Sequence, residues 1–245
     1  MKERLFSYYP TIVDWRVYMQ LSEYLDKKFP GLVLRPSLYY QWKNSIHFEL
    51  AKGLYQIKSN SDELNPHYFN TVYYQATTLF NELFSDGDQL YLVTNIYQYK
   101  NDYKTSRKKM KVYHHYVKNK NLRYRLKQTR LPYMFDDEED AMEKCTSQFS
   151  LYCQKQDLRY ELLIKAICNQ DFHELQPRLH NPFGLYEPDI FFINTTKDII
   201  FYIYDDRGCE VIAKDIETIR PLYEKYIDWV DEYCFGEISV LFKKL

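Results

Sequence analysis

The sequence predicts an α+β fold, with mostly antiparallel sheets flanked by an N-terminal helix, a central helix and C-terminal helices. Two amphipathic stretches with helical spacing, at 12–29 and 66–84, are one reason. A set of short apolar runs, alternating or bounded by turns, is another, because hairpin-joined strands read that way. The third is composition: of 245 residues, 45% are apolar and 27% charged, which supports a sizeable core and excludes disorder over most of the length. With 26 Tyr and 15 Phe, that core rests on amphipathic rings more than on aliphatics.

In order along the chain, Val13, Val17, Leu21, Tyr24, Leu25 and Phe29 share one helix face, and Pro30-Gly31 ends the run. Leu32–Leu34 and Tyr39–Trp42 read as short strands. In Ser45–Leu50, Ile46, Phe48 and Leu50 alternate with His47 and Glu49, the signature of a half-buried strand. Pro66 opens the central helix, which runs to Phe84 and stops at the turn Ser85-Asp86-Gly87-Asp88. Leu90–Tyr99 is a strand. Lys111–Val117 and Leu122–Thr129 read as a basic hairpin joined by Lys118-Asn119-Lys120-Asn121. The acidic run Asp136–Asp140 suits the positive end of a short helix. A strand near Gln148–Gln154 and a helix near Leu158–Asn169 follow.

Next come a hairpin, Ile190–Asn194 with Ile199–Tyr204, and a turn at Asp205-Asp206-Arg207-Gly208 leading into Glu210–Ala213. Helices at Ile216–Tyr233, disturbed by Pro221, and Gly236–Lys244 close the chain. Pro177, Asn181-Pro182 and Gly184 make 173–187 the best boundary. It separates an N-terminal α+β region, 1–172, from a C-terminal hairpin with helices, 188–245, the two packed as one unit.

Tyr8, Tyr9, Pro10 and Asp14 interrupt the first residues before an apolar run of signal length can form, and no stretch approaches a membrane span. A cytoplasmic protein with no membrane association is expected. Five cysteines with no CxxC pair argue against a disulfide framework or a zinc ribbon and read as reduced, mostly buried thiols, with Cys209 and Cys234 the candidates for any exposed, reactive one.

The net charge of -1 conceals an asymmetry. Residues 100–130 hold twelve Lys or Arg and one acid, Asp102, so this stretch carries +11 and the remainder -12. Tyr99, Tyr103, Tyr113, Tyr116 and Tyr124 interleave with the cations. Three readings stand: a phosphate-contacting ribbon with stacking tyrosines, the solvated side of an edge hairpin, or a face that steers an acidic protein. The acidic majority of the surface would repel a polyanion. Candidate partner-binding residues are Lys108, Lys109, Lys111, Tyr113, Tyr116, Arg123 and Arg125, with Arg207 second.

No Walker loop, GxGxxG or HExxH is present. His47 and Glu49 share a strand face without a third partner, and His173, Glu174 and His180 lack metal-ligand spacing. Asp205 and Asp206 beside Arg207 could hold a cation for hydrolysis. The same residues also make a natural turn, in which Asp caps backbone donors and Gly relaxes the backbone. Tyr204, Asp205, Asp206, Gly208 and Trp229 are therefore read as a structural motif. No catalytic residue, metal or cofactor is expected.

The run from Phe191 to Asn194, then Ile199 through Tyr204-Asp205-Asp206-Arg207-Gly208 to Ala213, then Pro221-Leu222-Tyr223 and Trp229, resembles a Gram-positive bacterial family of unknown function. His47-Phe48-Glu49-Leu50-Ala51 is similar to its Arg-Phe-Glu-Leu-Gly segment, with His47 and Ala51 departing from it, and Phe80–Phe84 resembles its helix end. The resemblance implies small cytosolic proteins of firmicutes and their mobile elements. By analogy with small α+β proteins that accompany polymorphic toxins, the expected function is a non-catalytic, immunity- or antitoxin-like binder of a toxin or effector. The alternative is a nucleic-acid-associated phage or mobile-element regulator using 100–130.

Overall fold

The computed structural model describes residues 19–102, 111–135, 137–179 and 184–243. The elements, in chain order, are α1 (Leu21–Lys28), α2 (Leu38–Gln41), β1 (Ser45–Glu49), α3 (Pro66–Leu83), β2 (Gln89–Tyr99), α4 (Lys111–Tyr116), β3 (Lys127–Pro132) and β4 (Lys144–Gln154). Then follow α5 (Tyr160–Cys168), β5 (Asp189–Asn194), β6 (Ile199–Ile203), β7 (Gly208–Ala213), α6 (Ile216–Lys225) and α7 (Phe235–Phe242). All strands join one antiparallel sheet in the order β1-β7-β6-β5-β2-β4-β3. This is an α+β fold.

The stretches on either side of 173–187 share that sheet. β5 pairs with β2, setting Phe192 opposite Leu92, and β7 pairs with β1, setting Cys209 opposite Phe48. The central strands are covered on both faces. Leu92, Phe192, Phe201 and Val211 point into the larger core under α3, α5 and α6, whereas Val93, Phe191, Ile200 and Ile212 point to a smaller core under α1 and α2. Alternate residues face opposite ways, so two buried faces demand an unbroken apolar run, which is how DIFFIN and IIFYI read. Phe80 of α3 anchors the larger core, stacked on Phe84 at 4.5 Å and on Tyr160 at 4.7 Å, with Phe192 edge-on at 5.0 Å.

α3 starts where Asn65 accepts a hydrogen bond from the His67 backbone N–H and Pro66 takes the first turn, whose amide needs no partner. α1 begins at Leu21, and the part of the 12–29 helix before residue 19 lies outside the described residues.

Tyr39–Trp42 is not a strand: Leu38–Gln41 turns as α2, started by the Glu210 carboxylate, which accepts from the Leu38 N–H at 2.7 Å. Leu32–Leu34 forms no strand. The basic hairpin is absent. Lys111–Tyr116 is helix α4, Lys120–Arg125 is a 3-10 turn, and only Lys127–Pro132 is strand. Val112, Tyr113, Tyr116 and Val117 all face the core, a helical spacing that places the apolar groups on one side where alternation would split them.

The first C-terminal helix ends at Lys225, and Ile227–Trp229 follows as a 3-10 turn. Of the acidic run, 137–140 is a turn ahead of a 3-10 segment at Ala141–Glu143. Among the described residues no helix is long and apolar enough to cross a membrane.

Candidate functional site

The cationic stretch meets solvent on α4 and the 3-10 turn. Lys111, Lys118, Lys120 and Arg125 are exposed, as are His114 and His115, and Tyr124 is 87% exposed. Two of the tyrosines chosen from sequence belong to the core. Tyr113 is 1% exposed and its hydroxyl reaches the carbonyls of Leu92 and Phe149 at 3.2 and 3.1 Å, while Tyr116 is 6% exposed. Neither can stack on a partner.

Arg123 is half-buried and caps α4. Its Nη2 donates to the carbonyls of His114 and Val117 at 2.8 and 2.9 Å, satisfying groups a helix C-terminus leaves open. Lys108 and Lys109 lie outside the described residues. Arg207 stands apart, at the β6–β7 turn.

That turn is a fully bonded corner. Asp205 Oδ1 accepts from the Arg207 backbone N–H at 2.7 Å, and Oδ2 accepts from the guanidinium Nε at 2.9 Å. Asp206 Oδ2 accepts from the Tyr68 hydroxyl of α3 at 2.8 Å and from Gln56 at 3.2 Å. The Tyr204 carbonyl accepts from Gln170 at 2.6 Å, and the Leu50 N–H donates to the Arg207 carbonyl at 2.7 Å. Asp171, Asp205 and Asp206 stand close enough to share a cation, but Arg207, Tyr68 and Gln56 already engage the two buried carboxylates. The corner ties the β6–β7 turn to α3, the end of α5 and the segment after β1.

Gly208 must lack a side chain here. A Cβ would run into the Tyr204 ring and would lie 2.6 Å from the Phe48 carbonyl oxygen. Trp229 is half-buried and stacks on Tyr226 at 4.5 Å.

A second constellation was not visible as a unit in the sequence. His47 does not pair with Glu49; its Nε2 lies 3.0 Å from the Tyr204 hydroxyl and its Nδ1 3.6 Å from Cys234 Sγ. Asp231 completes the group: each of the three offers one donor atom, and these lie within 4.8 Å of one another. Asp231 Oδ1 is oriented by the N–H groups of Tyr233 and Cys234 at 3.0 and 3.1 Å. The segment is held to β1 by the Asp231 N–H donating to the His47 carbonyl at 2.9 Å and by the Phe48–Val230 bridge.

Burial lowers the His47 pKa below that of a free imidazole, against the opposing pull of the Asp231 carboxylate. Burial and the Asp231 carboxylate push the Cys234 thiol up to about 11. All five cysteines are free and buried, as the reduced-thiol reading expects; Cys234, at 7%, is the most exposed of them, whereas Cys209 is fully buried.

A model of the family described as "Domain of unknown function (DUF3885)" matches residues 21–234. The chain is 49% identical over 218 residues to "Uncharacterized protein YnaE" of Bacillus subtilis (strain 168), covering 88% of this chain and 99% of the relative. No solved structure matches. The family match runs from α1 to the Cys234 turn, so it takes in the whole sheet and both constellations. The chain belongs to the DUF3885 family, a family of unknown function with a Gram-positive bacterial member.

Proposed function

We propose that the chain is a non-catalytic protein-binding module, an immunity- or antitoxin-like inhibitor that docks an acidic bacterial toxin or effector through residues 111–130. One observation carries this reading: Tyr124 stands 87% exposed in a stretch that holds seven Lys or Arg and no acid. A bare tyrosine with cations on either side suits an interface hot spot, and the net positive charge of the stretch speeds encounter with an anionic surface. The toxin-inhibitor form rests on analogy with other small α+β immunity proteins.

Co-expression of the full chain with the product of the adjacent gene tests it. The expected outcome is a complex and protection from toxicity. Lys118→Glu with Lys120→Glu should slow association, and Tyr124→Ala should speed dissociation. Neither complex nor protection would defeat the proposal.

A second reading, nucleic-acid binding, draws on Tyr124 lying between Arg123 and Arg125, where a base could stack on the ring. It requires an affinity whose logarithm falls linearly with the logarithm of salt concentration. Absence of DNA or RNA binding at low salt removes it.

A further inference from the structure

We infer that His47, Asp231 and Cys234 form a binding site for a divalent transition-metal ion of the zinc class, with one coordination position left open. The site lies away from the cationic stretch, so the inference stands or falls independently of the proposed partner binding.

The geometry is the first argument. Tetrahedral zinc, with Zn–S of ~2.3 Å and Zn–N of ~2.0 Å, sets its sulfur and nitrogen ligands about 3.5 Å apart. Cys234 Sγ and His47 Nδ1 are 3.6 Å apart, and the Asp231 donor lies within 4.8 Å of both. An S–H···N contact accounts for that one distance and two backbone N–H groups place the Asp231 carboxylate; together they leave a nitrogen, a sulfur and an oxygen converging within 4.8 Å.

Orientation of the ligands is the second. The imidazole nitrogen that would not touch metal, Nε2, faces the Tyr204 hydroxyl at 3.0 Å, and a metal-bound histidine is commonly fixed through its other nitrogen in this way. The Asp231 carboxylate is held by two backbone N–H groups, and the turn carrying it is pinned to β1 beside His47. These ligands are therefore placed before any ion arrives.

Donor chemistry and charge are the third. A nitrogen, sulfur and oxygen set selects zinc, cobalt or their neighbours over magnesium and calcium, which take oxygen shells. The same residues could suggest a nucleophilic cysteine with a histidine base, but an activated thiolate needs positive surroundings. Cys234 instead has the Asp231 carboxylate within 4.8 Å, an arrangement that favours a bound cation. Binding replaces the thiol proton with the metal and releases that proton to solvent. His47 and Asp231 are only half-buried, so the fourth position can take water or an incoming ligand.

The test uses the full chain, stripped with a chelator and titrated with Zn²⁺ against a chromophoric competitor, with Mg²⁺ as control. One equivalent of zinc should bind and magnesium should not compete. Cobalt substitution should give a thiolate-to-cobalt charge-transfer band. Cys234→Ser should abolish that band and weaken zinc binding at least 100-fold, an order-of-magnitude expectation for loss of a direct ligand, and Tyr204→Phe should weaken it by roughly tenfold, as for an outer-shell partner. Circular dichroism of each variant shows whether it is folded, and the cobalt band of the unmodified chain decides the matter even if a variant is not. Absence of stoichiometric zinc binding, absence of the band, or a band that survives in Cys234→Ser would overturn the inference.

Discussion

Glu210 sits midway along β7, next to edge strand β1, 4% exposed, and its carboxylate accepts from the Leu38 N–H at the start of α2. Desolvation outweighs the backbone hydrogen bonds and raises its pKa from 4.5 to about 7. A rise of that size corresponds to about 3 kcal/mol between the protonated and ionised forms. The folded chain holds this proton to higher pH than the unfolded chain does. The contribution of Glu210 to stability therefore falls as pH rises from 4.5 to about 7 and is flat outside that window.

Glu210→Gln cannot titrate, so the stability of the unmodified chain minus that of the variant isolates the effect from every other carboxylate. That difference should drop by about 3 kcal/mol between about pH 4 and about pH 8, and any pH-independent cost of the amide cancels from the trend. Urea unfolding followed by tryptophan fluorescence across that range measures it. A difference that stays constant, or grows with pH, would refute the argument that burial dominates at this position.

The other expectations concern packing. Gly208→Ala should cost about 2 kcal/mol, because the new methyl group meets both the Tyr204 ring and a backbone oxygen; an unchanged urea midpoint would show that the corner yields freely. Tyr113→Ala should cost roughly 4 kcal/mol as a core truncation, whereas Tyr124→Ala, at a site 87% exposed, should leave the midpoint unchanged. That pair separates a core tyrosine from a surface one within the same stretch. Arg123→Ala should destabilise by about 1 kcal/mol through loss of the α4 cap, with faster amide exchange in α4 as the local readout. A change confined to binding would show that the cap carries no stability.

Local chemistry alone determines much of this protein. Asn65-Pro66 starts α3 and Ser85-Asp86-Gly87-Asp88 follows its end, because caps and turns act within a few residues. The strand at Ser45–Glu49 and the hairpin of β5 and β6 are legible for the same reason. The cationic stretch is plain as charge. Its shape is not, since KVYHHYV contains β-branched and aromatic residues that fit a strand, and only a neighbouring core to bury Val112, Tyr113, Tyr116 and Val117 together makes it a helix.

The Tyr204–Gly208 corner is a turn by sequence, but Tyr68, Gln56 and Gln170 reach it from remote elements. His47 and Cys234 are 187 positions apart. They meet because β7 delivers β1 to the sheet edge and the Val230 segment closes on it. Residue types and short-range order are written in the chain, whereas a cluster built from two of its distant parts exists only once long-range strand pairing brings them together.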